Sequence, residues 1–355
     1  MAKQLDILAL EPFYGGVRKQ TLESIARHSR HRWTIFKLPP RRMERRLNTA
    51  AVWFSQQFSR ASGTRCDAIY SSDAMNLADF VRMVPDLAHK PSVAYFYGNQ
   101  FAIEADSQAR MAMLSTANTA SEIWFNSLFH MKSFLSNAAA FMDTHPELGG
   151  KQPVRSLIAK SQLVHPPVEI VAPSKDSKMV DADRKGRTIC LDCRESQPKI
   201  FAEVLTQVVG RKEPVAIYIL GKAPANIPSS IPIVIVDGKS EAELIRTLRH
   251  CEMYISAQPA ETFDPLAMRA MALGCIPILP QLGFYAEFLP KNLRAWCLHD
   301  GTAADLLSRL MDLWYLRRPA VARKELDDIF DRYTPILATR NFDRRLEYLV
   351  EQQSH

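Results

Sequence analysis

What this sequence lacks narrows its function before any motif is read. No apolar run approaches the roughly 18–20 residues that a helix needs to cross a bilayer, and the start, Met1-Ala-Lys-Gln-Leu-Asp6, has no signal-peptide pattern. No membrane span and a cytoplasmic location are the expectation. Neither a Walker phosphate loop nor a Gly-x-Gly-x-x-Gly fingerprint occurs, which counts against kinases, ATPases and dehydrogenases. No short-period repeat is present, and no cluster of His, Asp or Glu stands at ligand spacing, so no metal site is expected. Cysteine is sparse, six in 355 residues, and scattered, which predicts reduced thiols and no disulfide framework. Cys190-Leu-Asp-Cys193 has the spacing of metal and redox motifs, but no second pair follows, and the alternation along Thr188 to Asp192 predicts core cysteines on a strand.

What is present is a chain long enough for two domains. Hydrophobic residues make up 47% and charged residues 23%, the balance of an ordinary globular enzyme. The net charge of +7 is modest but uneven: Arg18, Lys19, Arg27, Arg30, Arg32, Lys37, Arg41, Arg42, Arg45 and Arg46 crowd the first fifty residues. Such a cluster points to an anionic partner for the N-terminal half, or to a solvated basic helix face.

Apolar runs at Leu5–Leu10, Trp33–Leu38, Ala68–Ser71, Ser92–Tyr97 and Glu122–Asn126 alternate with amphipathic stretches of helix length, which predicts a mostly parallel sheet. The rhythm repeats at Arg187–Asp192, Val215–Leu220, Ile233–Val236, Glu252–Ser256 and Ile276–Leu279, with helices near 198–210, 240–250, 265–273, 301–316 and 335–351. The class is α/β. The boundary falls where Val164-His-Pro-Pro-Val168 gives way to the polar stretch 173–187.

Two stretches carry the chemistry. After the first strand, Glu11-Pro-Phe-Tyr-Gly-Gly-Val-Arg-Lys-Gln20 sets paired glycines before a helix starting near Val17, a turn that lets the backbone approach a phosphate or sugar and that also serves ordinary βα turns. Residues 255–283 read as strand, acidic loop, helix and strand: Glu261 precedes Pro265, a first-turn residue, and Gly274 closes the helix. In such βαβ units ligands sit at the carboxyl ends of strands, where Glu261 falls. Arg194 and Lys199 follow the strand ending near Asp192. Asp73 sits at another strand end, facing a ligand or capping a helix that begins near Met75.

Residues 255–283 resemble the donor-site signature of retaining GT-B glycosyltransferases. A narrower likeness follows from Glu11-Pro-Phe-Tyr-Gly-Gly-x-x-Lys-Gln20, Leu38-Pro-Pro-Arg-Arg42 with Ala51-Val-Trp-Phe-Ser-Gln56, Ser71-Ser72, Asn76-Leu-Ala-Asp79, Pro85-Asp-Leu87, Tyr95-Phe-Tyr-Gly-Asn-Gln100, Asn126-Ser127 and His165-Pro-Pro-Val168. In this order they look like the tRNA-queuosine mannosyltransferase family. The resemblance implies a GT-B fold of two doubly wound Rossmann-like domains facing a central cleft. An acceptor-side domain would occupy 1–168, a nucleotide-sugar domain 169–334, and a C-terminal helix, 335–355, would pack back on the first.

It implies transfer of a sugar, mannose from GDP-mannose, to a modified nucleoside such as queuosine in tRNA or another nucleic acid, with no permanently bound cofactor. Arg194, Lys199, Glu261 and Tyr97 are the catalytic candidates, with Arg194 and Lys199 in the place of the family's diphosphate-holding pair. Gly15, Gly16, Thr262, Phe263, Asp264 and Arg269 join Arg194, Lys199 and Glu261 as donor-binding candidates. Arg18, Lys19, Arg41, Arg42, Arg45, Asp73, Asn76, Asn99 and Gln100 are candidates for the acceptor, and Trp53 is expected in the core.

The chain departs from the family at four places. Tyr97 and Gly98 replace a histidine and its acidic neighbour, Asp264 stands where Gly is common, and Arg269 replaces the second Glu of a Glu-x7-Glu motif. A guanidinium has donors only, so it cannot replace a carboxylate at ribose hydroxyls. These departures imply a changed donor or acceptor, or a catalytically degenerate GT-B protein acting as an RNA-binding or scaffold module. A transferase acting on lipid or polysaccharide would need a membrane-docking helix, and residues 42–61 lack the Lys/Trp interfacial pattern.

Overall fold

The computed structural model describes residues 3–353, apart from 62, 100, 102–106, 149–150, 171–186, 195–198, 213, 229, 238–239, 258–262, 282 and 316–322. Along the first part of the chain run β1 (Asp6–Glu11), α1 (Gly16–His28), β2 (Arg32–Lys37), α2 (Met43–Arg60), β3 (Ala68–Ser72), α3 (Leu77–Met83), β4 (Ser92–Phe96), α4 (Ser107–Thr119), β5 (Glu122–Phe125), α5 (Leu128–Asp143), α6 (Lys151–Lys160) and β6 (Ser161–Leu163). The second part holds β7 (Arg187–Cys193), α7 (Lys199–Gly210), β8 (Val215–Gly221), β9 (Ile233–Val236), α8 (Glu241–His250), β10 (Met253–Ser256), α9 (Pro265–Ala272), β11 (Ile276–Pro280), α10 (Tyr285–Phe288), α11 (Lys291–Cys297), β12 (Leu298–His299), α12 (Ala303–Tyr315), α13 (Arg323–Asp331) and α14 (Pro335–Gln353). Two compact units result: Met1–Val168 with Glu261–Phe263 and Asp331–His355, and Glu169–Ala260 with Asp264–Phe330.

In the first unit the described strands lie in the order β2-β1-β3-β4-β5-β6, every neighbouring pair parallel. Parallel strands need crossover helices on both faces, and the residue pattern supplies them. Leu8, Leu10, Ile69 and Phe96 pack on one face with Phe54, Phe80, Phe134 and Leu157. Ile7, Ala9, Tyr70 and Trp124 point to the other, against Leu22 and Ile25 of α1 and Phe342, Leu346 and Leu349 of α14. Polar contacts fix α14 there as well: Ser29 Oγ donates to Asp343 Oδ1 at 2.6 Å, and Arg345 pairs with the Glu122 carboxylate.

The second unit is built the same way, in the order β12-β11-β10-β7-β8-β9 with parallel neighbours. Cys190 and Cys193 are buried free thiols on β7, as the alternation predicts. Gly274 takes φ +91° just past α9, a left-handed stop that glycine adopts without strain. Among the described residues no helix is long and apolar enough to cross a membrane.

Both strand orders reverse beside the first strand of the unit. In the first unit the chain leaves β1 for β2 on one side and returns to β3 on the other; in the second it leaves β7 for β8 and returns to β10. The crevice outside the carboxyl ends at such a reversal is where open α/β sheets bind ligands. Glu11 and Ser72 end β1 and β3, and Cys193 and Ser256 end β7 and β10.

Candidate active site

At the reversal in the first unit, a buried charged cluster lies beneath a pocket of about 410 Å³. The pocket is bounded by the turn at Phe13, Gly15 and Gly16, by Arg18 and Pro40, and by Tyr97, Gly98, Asn126 and Phe263. Gly15 is required for close approach: a Cβ there would stand 2.5 Å from Pro40 Cγ. Gly16 opens α1 at φ +52°.

Arg18, on the first turn of α1, places Nη1 2.5 Å from Asp73 Oδ1 and 4.0 Å from Glu11 Oε2, with its guanidinium 4.7 Å from the Tyr97 ring centroid. Burial opposes its charge, but the two carboxylates raise its pKa and hold it protonated. Burial pushes the Glu11 carboxyl above its ordinary range, with Arg18 opposing. Glu11 Oε1 accepts from the Phe13 N–H at 2.8 Å.

The second oxygen of Asp73 accepts from the Gly98 N–H at 3.0 Å, so Asp73 holds both Arg18 and the turn after β4. Asn76, not Asp73, caps α3: its side chain accepts from the N–H groups of Ala78 and Asp79. Tyr97 Oη lies 2.9 Å from Tyr70 Oη, and burial raises the Tyr97 pKa. A phenol so placed can orient a hydroxyl but stays protonated at neutral pH.

The remaining candidates of the first unit are dispersed. Asn99 is buried, donating to Ser133 Oγ at 3.1 Å and accepting from the Phe101 N–H, which gives it a local turn role. Lys19 is exposed, 3.8 Å from Glu23 on the same helix. Arg41, Arg42 and Arg45 are exposed around the start of α2, next to the pocket residue Pro40, and Arg42 takes φ +55°. Trp53 is not in the core: it is 42% exposed on α2, edge-on to the buried Phe54. Phe263 stacks on Tyr333 at 5.7 Å. Gln100, Glu261 and Thr262 lie outside the described residues.

At the reversal in the second unit, Arg194 follows β7 and is held in a fork by Asp192, Nε to Oδ1 at 2.9 Å and Nη2 to Oδ2 at 2.8 Å. Tyr254 of β10 donates to the same Asp192 Oδ2 at 2.7 Å. Burial works against the Asp192 charge, yet these contacts lower its pKa, so the pair is ionic at neutral pH. About a third of the Arg194 side chain remains exposed. Lys199, exposed, is the first residue of α7.

Asp264 caps α9, accepting from the N–H groups of Leu266 and Ala267, and its Oδ2 accepts from Tyr285 Oη at 2.9 Å. Burial and the Asp192 charge raise its pKa. Arg269, on the same helix, is 7% exposed and pairs with Glu241, the first residue of α8. The carboxylate missing at position 269 is thus replaced by a guanidinium that carries a carboxylate partner.

Sequence reasoning places Glu11 and Asn126 within motifs without assigning them roles, and passes over His130, Asp192, Tyr254 and Glu241. Glu11 offers a signal, an acidic residue at the end of an apolar run. The others are defined by contacts between distant segments.

Residues 6–168 match the family model described as tRNA-queuosine alpha-mannosyltransferase N-terminal. A tRNA-queuosine alpha-mannosyltransferase of Drosophila melanogaster is 28% identical over 367 residues, covering 95% of this chain and 92% of that protein. Among solved structures, a glycosyltransferase from Rickettsia africae ESF-5 superimposes with a TM-score of 0.64 at 11% identity, over 98% of this chain and 99% of that one. The catalytic domain of starch synthase IV from Arabidopsis thaliana, bound to ADP and acarbose, gives 0.63 at 10% identity, over 99% of each chain. At such identities these two show the fold, which is GT-B.

Proposed function

We propose that this relative of the tRNA-queuosine mannosyltransferase family is a cytoplasmic retaining glycosyltransferase that moves mannose from GDP-mannose to a hydroxyl of queuosine in tRNA. The observation that carries the reading is the position of Arg194, at the strand reversal of the second unit, rigidly forked by Asp192 and still partly open to solvent. Similarity along 95% of the chain to a tRNA-queuosine alpha-mannosyltransferase supports the choice of acceptor.

In this reading the donor diphosphate lies against Arg194, Lys199 and the opening turn of α7. As the bond from the sugar C1 to the phosphate oxygen breaks, negative charge grows on that oxygen, and cations already in place stabilise it there. The acceptor hydroxyl attacks C1 from the same face, and its proton passes to the departing phosphate. No protein base is needed, which accommodates Tyr97 and Gly98 in place of the family's histidine and acid. Glu261, Thr262 and Phe263 would border the sugar. Arg269 has no acceptor for the ribose hydroxyls, but its partner Glu241 has, and takes that role here. Exposed Arg41, Arg42 and Arg45 would meet tRNA phosphates.

The test is transfer of labelled mannose from GDP-mannose to queuosine-containing tRNA. Arg194→Ala and Lys199→Ala should each lower the rate by roughly 100-fold or more with the fold retained. Full activity in both variants would remove the diphosphate site. One observation favours a second reading, a degenerate GT-B protein that only binds RNA: Arg194 is already neutralised by Asp192. That protein would bind tRNA in a salt-sensitive way and show no affinity for nucleotide.

A further inference from the structure

The crevice at the strand reversal of the second unit carries more negative charge than a diphosphate calls for. Arg194 is its central cation, and two carboxyl groups act on it: Asp192, which forks it at 2.8 and 2.9 Å, and Asp264, just before α9. With both carboxyls ionised the group is net negative, and a diphosphate bound there would add to that charge. Asp192 is not the carboxyl that yields. The Arg194 fork and the Tyr254 hydroxyl, at 2.7 Å, hold it below its ordinary range.

Asp264 is built differently. Its Oδ1 accepts from the N–H groups of Leu266 at 3.0 Å and Ala267 at 3.1 Å, so a side chain already serves the first turn of α9. Its Oδ2 accepts from Tyr285 Oη at 2.9 Å, and that contact can reverse. Tyr285 is also hydrogen-bonded to the Ser256 side chain, and a hydroxyl both donates and accepts. A proton on Oδ2 would be donated to Tyr285 Oη, whose own hydrogen would turn to Ser256 Oγ. Protonation then removes the charge while Oδ1 goes on capping the helix, and no hydrogen bond is lost.

Burial and the Asp192 charge push the Asp264 carboxyl up from its ordinary value, while Arg194, the α9 N–H groups and Tyr285 favour its ionised form. The titratable groups around it keep their charge near neutral pH. Burial pushes the Tyr254 and Tyr285 phenols up and the His299 imidazole down. His299 is fully engaged as a neutral ring, Nε2 facing the Ser256 carbonyl at 3.2 Å and Nδ1 accepting from the Gly301 N–H at 3.1 Å. Arg269, on α9 itself, is paired with Glu241.

We infer that Asp264 sets the charge this crevice accepts: ionised in the free protein, it takes up a proton on Oδ2 as the diphosphate of a sugar nucleotide binds beside Arg194. This rests on the donor reading of the second unit proposed above, and adds to it a proton that enters from solvent with the donor and leaves with the nucleotide. The sign follows from linkage. A bound anion raises the Asp264 pKa further, so between the free and bound values the complex holds the extra proton, and affinity falls as pH rises through that window.

The test is calorimetric titration of the full chain with GDP-mannose, whose bridged diphosphate has no group titrating near neutral pH, and with UDP-glucose for comparison, in buffers of different ionisation enthalpy. The wild type should bind roughly tenfold more weakly at about pH 8 than at about pH 6, with proton uptake read from the buffer dependence of the heat. Asp264→Asn keeps an acceptor for the α9 N–H groups and removes the charge. At about pH 8 it should bind roughly tenfold more tightly than the wild type and take up no proton. The carboxyl ¹³C resonance of Asp264 in the wild type, followed through the same titration, should move to its protonated position and identifies the proton even if the variant does not fold. Binding independent of pH without proton uptake, an unmoved Asp264 resonance, or equal affinity of the two proteins at about pH 8 would overturn the inference and leave the donor reading intact. Binding of neither sugar nucleotide to either protein would remove the donor reading, and this inference with it.

Discussion

His130 gives the first unit a predictable weakness in acid. Its pKa falls from 6.5 for the free side chain to about 4 in the fold, so between those values the unfolded chain binds the extra proton. Stability is then full above pH ~6.5 and lost as pH falls toward ~4, by up to about 3 kcal/mol. Urea unfolding at pH 7 and pH 4.5 should show this loss in the wild type and a flatter acid limb in His130→Gln. Equal acid limbs in the two proteins would show that His130 is not neutral in the fold. None of this is legible in the sequence: no motif singles out His130, and its partners, Asn126 and Gly98, follow the ends of β5 and β4. The same is true of Asp192, whose hold on Arg194 needs Tyr254 from a strand far along the chain. Residue types and strand ends were readable, but the pairing of charges across a sheet was not.

At the scale of elements, the turn between β1 and α1 should be the least tolerant of added atoms. Gly15→Ala would drive a methyl into Pro40, and overpacking of this kind costs about 1–3 kcal/mol. A Tm drop for Gly15→Ala, with no drop for Gly210→Ala, where nothing lies within 4 Å of a Cβ and alanine suits the helix better than glycine, would confirm the close approach. Equal Tm values would deny it. Elements with strong periodicity were read from sequence to within a residue or two, among them α8, expected at 240–250 and found at Glu241–His250. Short elements escaped. β6, Ser161-Gln-Leu163, is polar and three residues long, and β12 is Leu298-His299, so neither has an apolar run to detect. Asp73 reads from sequence either as facing a ligand or as the cap of a helix beginning near Met75; the helix begins at Leu77 with Asn76 as its cap, and Asp73 instead engages the Arg18 guanidinium and the Gly98 N–H. Trp53, expected in the core, is exposed beside the buried Phe54, because adjacent residues on a helix face about 100° apart.

At the scale of the whole molecule, charge distribution predicts how an RNA partner would be held. Arg41, Arg42 and Arg45 are exposed together at the start of α2. Replacing all three with alanine should weaken tRNA binding and reduce the slope of log K against log salt by about 2–3, near one unit for each phosphate no longer neutralised. An unchanged slope would place the RNA elsewhere. The β-strand rhythm foretold an α/β chain with two sheets, whereas the departures at Tyr97, Gly98, Asp264 and Arg269 could be counted in the sequence but not interpreted. The structure gives each a local account: Tyr97 hydrogen-bonds Tyr70, Gly98 bridges Asp73 and His130, Asp264 caps α9, and Arg269 is paired with Glu241.

The central claim is that the second unit holds a nucleotide-sugar donor. Calorimetric titration of the full chain with GDP, and with UDP for comparison, tests it most directly. The account predicts saturable GDP binding that is lost in Arg194→Ala; binding of neither nucleotide would contradict it.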